Sequence, residues 1–310
     1  MSDQNLVQLR PDTVKHVRKL YGYEDDKKLD EAIDILHEWI QKQSHFMKKN
    51  FPRKYLESTL ISNKGSIERS KSKLDKLCTL RTILKQFFEF NDIKKDFKDF
   101  FQATTLIPFP KLTENHYRVI LLKNNPNEYF DKTPFLDYYI FMLIYCEYLM
   151  LHDYSDGFVF IIDYRETNIM SLINRLNPME MKQFAALLME GYGTRVKGVH
   201  IITTSKAIEI LLNLVKPLFS QKVAQRFFVH STLESLYDDF PKEVLPVDFG
   251  GTERSCQEIK EGWINLLSSE TSMEYLKASR EATVNEAYRM KSTYNEHLGL
   301  AGTFRTISID

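Results

Sequence analysis

Four short β-rich runs, each followed or preceded by an apolar helical stretch, set the tightest limit on the fold. YRVILLK from 117, GFVFIID from 157, GVHIIT from 198 and RFFVHS from 226 are separated by intervals long enough for a helical crossover, the pattern of an α/β chain. The spacing predicts helices over Phe135 to His152, Pro178 to Glu190, Lys206 to Lys216 and Leu233 to Asp239. The change of texture comes just after Pro108 and Pro110.

Upstream the pattern is helical alone. DEAIDILHEWIQKQ puts Ile33, Leu36 and Ile40 on one stripe, and SKLDKLCTLRTILKQFF aligns Leu74, Leu77, Arg81, Leu84 and Phe88 at helical period. Gly65-Ser66 reads as a stop and restart. Beyond Gly250-Gly251 the chain turns helical and polar again. We therefore expect an extension over 1–27, a small helical domain over 28–95, an α/β domain over 100–252 and a helical tail over 253–310.

Composition narrows the function. With 43% hydrophobic and 13% aromatic residues in 310, the chain can bury a substantial core. Lys plus Arg and Asp plus Glu both number 42, so no global field draws it to nucleic acid, and any basic site must be local. The N-terminus lacks an apolar signal segment, and the run Tyr138 to Cys146 is far short of the roughly 20 residues a bilayer requires. Three widely spaced cysteines, Cys78, Cys146 and Cys256, suit a reducing compartment. A cytoplasmic chain is expected, and the absence of a heptad tract favours a monomer.

GYGTRVKGVHIIT, from Gly191, invites a nucleotide-site interpretation, but the order of elements opposes it. A dinucleotide fingerprint runs strand, glycines, helix; here the helix comes first, so Gly191 and Gly193 read as helix-ending and turn residues. Arg195 and Lys197, two apart at a strand entrance, share a side. Lys222 and Arg226 share a face if helical. Taken alone, such pairs are ordinary solvated charges.

Between the two pairs lies KAIEILLNLVKPLF. Ile208, Leu211, Leu212, Val215 and Phe219 form one stripe, widened by Ile210 and Leu214. A helix apolar nearly all round is either deep core or a movable cover with a greasy cavity inside and a membrane outside.

The succession TRVKGVHIIT, VKPLFSQKVAQRF and VHSTLESLYDDFPKEVLPVDFGG, with PKLTENHYRVILLK and GFVFIIDYRE before it, resembles the CRAL-TRIO lipid-transfer family, which includes tocopherol and retinaldehyde carriers. KGSIERSKSKLDKLCTLR is similar to that family's N-terminal domain, and the tail GLAGTFRTISID to the ends of arthropod members. The resemblance implies a mixed-sheet floor with flanking helices and a lid helix, preceded by a small all-helical domain. It also implies an apolar pocket, and a basic cluster for phosphoinositides at Arg195, Lys197, Lys222 and Arg226. Two departures stand out: TLISNK at 59–64 keeps only Lys64 of a basic segment, and DYRE lacks the usual glycine.

On these grounds we expect a pocket lined by Ile140, Ile144, Phe158, Phe160, Ile162, Leu187, Leu188, Tyr192, Val199 and Ile201. The lid would be Ile208, Leu211, Leu212, Val215 and Phe219. Burying about 400 Å² of a terpenoid-like ligand would contribute roughly 10 kcal/mol before association costs. The partners expected are a small hydrophobic ligand and, transiently, an anionic phosphoinositide membrane, with no nucleic acid and no cofactor. A phosphoinositide sensor that presents lipid without bulk transfer is the alternative. No GxSxG, GxxxxGK[ST], HExxH or CxxC occurs, so neither an enzyme nor a metal site is expected. His200 and His230, on apolar strands, read as structural histidines; Asp163 and Glu166 read as loop and capping residues.

Overall fold

The computed structural model describes residues 5–289. The final segment GLAGTFRTISID lies outside them, as does the end of the expected tail.

The helical region is built as its periodicity requires. Helices Asp26–Lys42, Arg53–Ser62 and Ile67–Ile83 bury Ile33, Leu36, Ile40 and Leu74 in a shared core. Asp25 and Ser66 cap their helices by accepting from Lys27 N and Arg69 N, satisfying N–H groups that a helix start leaves open. Between the second and third of these helices Gly65 takes φ +73°, which makes the stop and restart possible.

The α/β region is one five-stranded mixed sheet in the order β1-β2-β3-β4-β5. The strands are β1 (Thr104–Leu112), β2 (Tyr117–Asn124), β3 (Gly157–Asp163), β4 (Val196–Ile202) and β5 (Phe227–His230). β2 to β5 run parallel, and β1 pairs antiparallel with β2. The sequence pattern missed β1 because TTLIPFPKL carries two prolines. They are tolerated because β1 is an edge strand whose pairing shifts register between Pro108 and Leu112, where the missing donors interrupt no central ladder.

One helix matches its expected bounds, Phe135–His152. Pro178–Ala186 ends earlier than expected and passes into a π-turn, Leu187–Gly191. The next is Ile208–Val215, continued by a 3₁₀ turn Lys216–Leu218, and the fourth is only a 3₁₀ turn, Glu234–Asp238. A further helix, Ile169–Arg175, is too short for periodicity to reveal. Arg226 lies beyond the short helix Gln221–Ala224, so Lys222 and Arg226 do not share a helical face as expected.

Alternation along the strands gives the sheet two apolar faces. Val159 and Ile161 pack with Leu236, Phe240 and Phe249 in the main core, which Ile259, Trp263 and Leu267 of helix Cys256–Leu267 also join. Trp263 Nε1 donates to Pro108 O at 2.8 Å, tying that helix to the edge strand. The opposite face holds the site.

Candidate functional site

The cavity floor follows from strand register. Leu122 of β2 is level with Ile162 of β3, and Ile162 with Ile201 of β4; Phe160 is level with Val199, and Val199 with Phe227 of β5. In-register residues of a parallel sheet point the same way, so these six form a continuous apolar floor. Tyr138, Tyr139 and Met142 of helix Phe135–His152 make one wall; Phe184 and Leu188, from Pro178–Ala186 and its π-turn, make another. Leu211, Leu212, Val215 and Phe219 close the opening.

The space has two adjoining lobes of about 200 and 210 Å³. Leu122, Tyr139, Ile162, Phe184, Phe219 and Phe227 line both. An apolar cavity of about 150 Å³ already stays dry and admits benzene, so a small hydrocarbon fits either lobe. The polar groups at the wall are few. Asn124 and Tyr164 belong to the first lobe, and the hydroxyl-bearing rings of Tyr138 and Tyr139 line both. Tyr138 Oη donates to Asn124 Oδ1 at 3.4 Å. Burial raises the pKa of Tyr138, Tyr139 and Tyr164, keeping them neutral. A wall with little but neutral phenols for polarity selects hydrophobic ligands with at most one or two hydrogen-bonding groups.

The lid helix Ile208–Val215 has two apolar sides. Leu211 and Val215 face the cavity, whereas Ile210 and Leu214 are 48% and 46% exposed. Ile208 is buried with Ile169 and Leu172 and does not reach the cavity.

Of the ten expected wall residues, Phe160, Ile162, Leu188, Val199 and Ile201 meet at the cavity. The other five lie elsewhere. Ile140 and Ile144 face a small cleft with Phe87, Phe90 and Leu276: their helix is buried on nearly every side, so apolarity does not distinguish its faces. Leu187 is fully buried in the main core, because the wider π-turn rotates consecutive side chains away from the α-helical phase. Tyr192 binds Glu147 Oε2 at 2.9 Å on the side of the helical region. Phe158 sits beside a separate hollow with Gly193 and Ser58, next to a register shift with β4. Tyr138, Tyr139, Met142 and Phe184 are wall residues that the sequence pattern did not single out. Gly193 has φ +65°, the expected turn geometry, whereas Gly191 does not have a positive φ and packs closely on the helical region: a Cβ there would meet Leu77 Cδ1 at 3.0 Å.

The basic residues divide. Arg195 and Lys197 both reach Asp156, at 3.4 and 2.6 Å, as same-side placement predicts. Arg195 also donates to Ile61 O at 2.9 Å and stacks over Tyr21 at 4.7 Å. Arg226 donates to Val196 O, joining them at the start of β4. Lys222 is exposed on the adjoining short helix.

Asp137, in the first turn of the wall helix, is pushed up to about 6 by burial and then by the charge of Asp99. A carboxyl with a raised folded pKa contributes its stability fully below its unfolded pKa, and that contribution is lost as pH rises through about 6. Asp137→Asn should therefore raise Tm relative to the parent at pH 7.5, with the difference shrinking toward pH 4 in thermal melts. A difference constant across that range would exclude Asp137 as the cause.

Residues 104–251, which contain this floor and lid, match the family model of the CRAL/TRIO domain. The chain carries a CRAL/TRIO domain. Over 98 residues the chain is 33% identical to a mouse alpha-tocopherol transfer protein-like chain, covering 31% of this chain and 28% of that one. Rat clavesin-1 is 30% identical over 184 residues, 55% of this chain and 51% of that protein. The matches thus span between about a quarter and half of those relatives' length. The crystal structure of Sfh5 superposes with a TM-score of 0.51 at 12% identity, over 88% of this chain and 99% of the other, a likeness of fold. Among the described residues no helix is long and apolar enough to cross a membrane.

Proposed function

We propose that this chain is a cytoplasmic lipid carrier. It holds a small hydrophobic ligand of terpenoid, tocopherol, retinoid or carotenoid type in the β-floored cavity, and exchanges it while transiently at a phosphoinositide-containing membrane. The observation that carries this reading is the apolar two-lobed cavity beneath a helix apolar on both sides. No bond-making chemistry is needed. In this reading residues 28–95 brace the wall, and residues 100–252 hold and release the cargo.

Exchange requires the membrane to favour the open lid over the closed one. Ile210 and Leu214 supply apolar contact for the bilayer, and the basic cluster at Arg195, Lys197, Lys222 and Arg226 supplies attraction to anionic headgroups. Asp156 already neutralises part of that cluster, so a phosphate must compete with it or recruit Lys222. The likeness to an alpha-tocopherol transfer protein-like chain supports a terpenoid-sized cargo.

Native mass spectrometry of the purified chain, with extraction of what co-purifies, identifies the cargo. After delipidation, vesicle-to-vesicle transfer should be catalytic and faster toward phosphoinositide acceptors. The double substitution Lys222→Ala with Arg226→Ala should slow that transfer several-fold more than it weakens ligand binding in solution. Equal loss of both would refute the membrane role, and vesicle binding without ligand movement would identify a sensing or presenting scaffold instead.

A further inference from the structure

The back of the sheet, away from the cavity, carries a cluster that lipid carriage does not use. His200 sits on β4 between two cavity-floor residues, Val199 and Ile201, with its ring on the opposite face. There Nδ1 lies 3.0 Å from Nε2 of His230, at the end of β5, and 3.5 Å from Oδ2 of Asp239. All three ligand atoms lie within 4.8 Å of one another.

The proton inventory fixes which nitrogen of His230 carries its proton. Ser235 Oγ donates to Thr232 O at 2.8 Å, so its only hydrogen is used. The contact of His230 Nδ1 with Ser235 Oγ at 2.9 Å therefore requires Nδ1–H to be the donor. Nε2 of His230 is then unprotonated and accepts from Nδ1–H of His200 at 3.0 Å, so an ion entering between them displaces that proton and takes His200 to its other tautomer. An acceptor on the far nitrogen fixes the tautomer and ring orientation of an imidazole, as the supporting groups of metal-bound histidines do.

We infer that His200 Nδ1, His230 Nε2 and Asp239 Oδ2 form a binding site for a divalent transition ion of the zinc class. Tetrahedral ligation at about 2.0–2.1 Å places ligand atoms roughly 3.3 Å apart; the two separations from His200 Nδ1 bracket that value, and the wider gap between His230 and Asp239, within 4.8 Å, closes as the half-exposed Asp239 side chain turns toward the ion. Two imidazoles and one carboxylate match zinc and its first-row neighbours, whereas calcium and magnesium require all-oxygen shells. Asp239 is half-exposed, which gives the ion an entry path and leaves the fourth position to water. The ion would join β4, the edge strand β5 and the turn Glu234–Asp238 into one clasp behind the cavity floor. Its position on the other face makes it independent of the ligand reading.

Zinc titration into the chelator-stripped full chain, followed by calorimetry, should give one ion per chain and a Tm rise of several degrees at saturation. Co²⁺ in its place should show the visible absorption of a tetrahedral N/O site. Asp239→Asn and His230→Gln should each weaken zinc binding at least about 10-fold, and Ser235→Ala, a positioning change, about 10-fold. If His230→Gln fails to fold, the half-exposed Asp239→Asn decides the matter alone. Absence of saturable one-to-one binding by the parent, or binding unchanged in Asp239→Asn, overturns the inference.

Discussion

Val199→Trp is expected to reduce affinity for a nonpolar fluorescent probe at least 100-fold, about 2.7 kcal/mol, while the chain stays folded. Val199 rises from the middle of the floor into a lobe of about 210 Å³, so an indole there occupies space the ligand needs. In a filled core the same enlargement would cost about 1–3 kcal/mol through strain. Here it has room, and Tm should move by only a few degrees. Probe titration and thermal melts measure the two effects separately. Leu212→Asp on the lid offers a second approach, since it places a carboxylate against an apolar lining without touching the floor. Parental affinity in both variants would remove the cavity as the binding site.

The largest loss of stability should follow Glu147→Ala. Glu147, on the wall helix, accepts from Arg81 Nη2 of helix Ile67–Ile83, from Tyr192 Oη at 2.9 Å and from Tyr275 Oη at 3.2 Å. The two charged side chains are 2% and 5% exposed. Among the described residues Arg81 Nε and Nη1 have no hydrogen-bond partner, so the carboxylate is nearly all that compensates a guanidinium held away from water. Removing it should cost about 3–5 kcal/mol, the usual penalty for leaving one member of a buried pair alone. Replacing both, as Arg81→Met with Glu147→Leu, should recover most of that loss because no charge is left behind. Denaturant unfolding of the three chains provides the comparison. A double variant no better than Glu147→Ala would mean that the pair acts through something other than burial of charge.

The sheet core was legible wherever a strand was short, β-branched and flanked by turns, as β2 to β4 are. It was illegible at β1, where two prolines hid an edge strand that does not need every donor. The same distinction runs through the cavity. Strand alternation placed Phe160, Ile162, Val199 and Ile201 on the floor, because a period of two leaves only one choice of face. It offered no such help on helix Phe135–His152, apolar on every side, where Ile140 and Ile144 face the helical region and Tyr138, Tyr139 and Met142 face the ligand space. The π-turn after Ala186 leaves no mark in composition, yet it decides that Leu188 and not Leu187 reaches the lobe. Ion pairing was equally hidden: Asp156, far from Lys197 in sequence, engages two of the cationic residues that spacing brought together.

The chamber has unequal boundaries. One side is bolted through Glu147 to three other elements, whereas the cover rests on greasy contacts and ends in a proline-containing turn. An occupant larger than the vacant volume must therefore push outward on the soft side and leave the stiff one in place. In the proposed carrier, tolerance for ligand size is then set by how far one short helix can ride up before its underside meets water, and analogues of increasing bulk should show a gradual decline in residence time rather than a sharp cutoff.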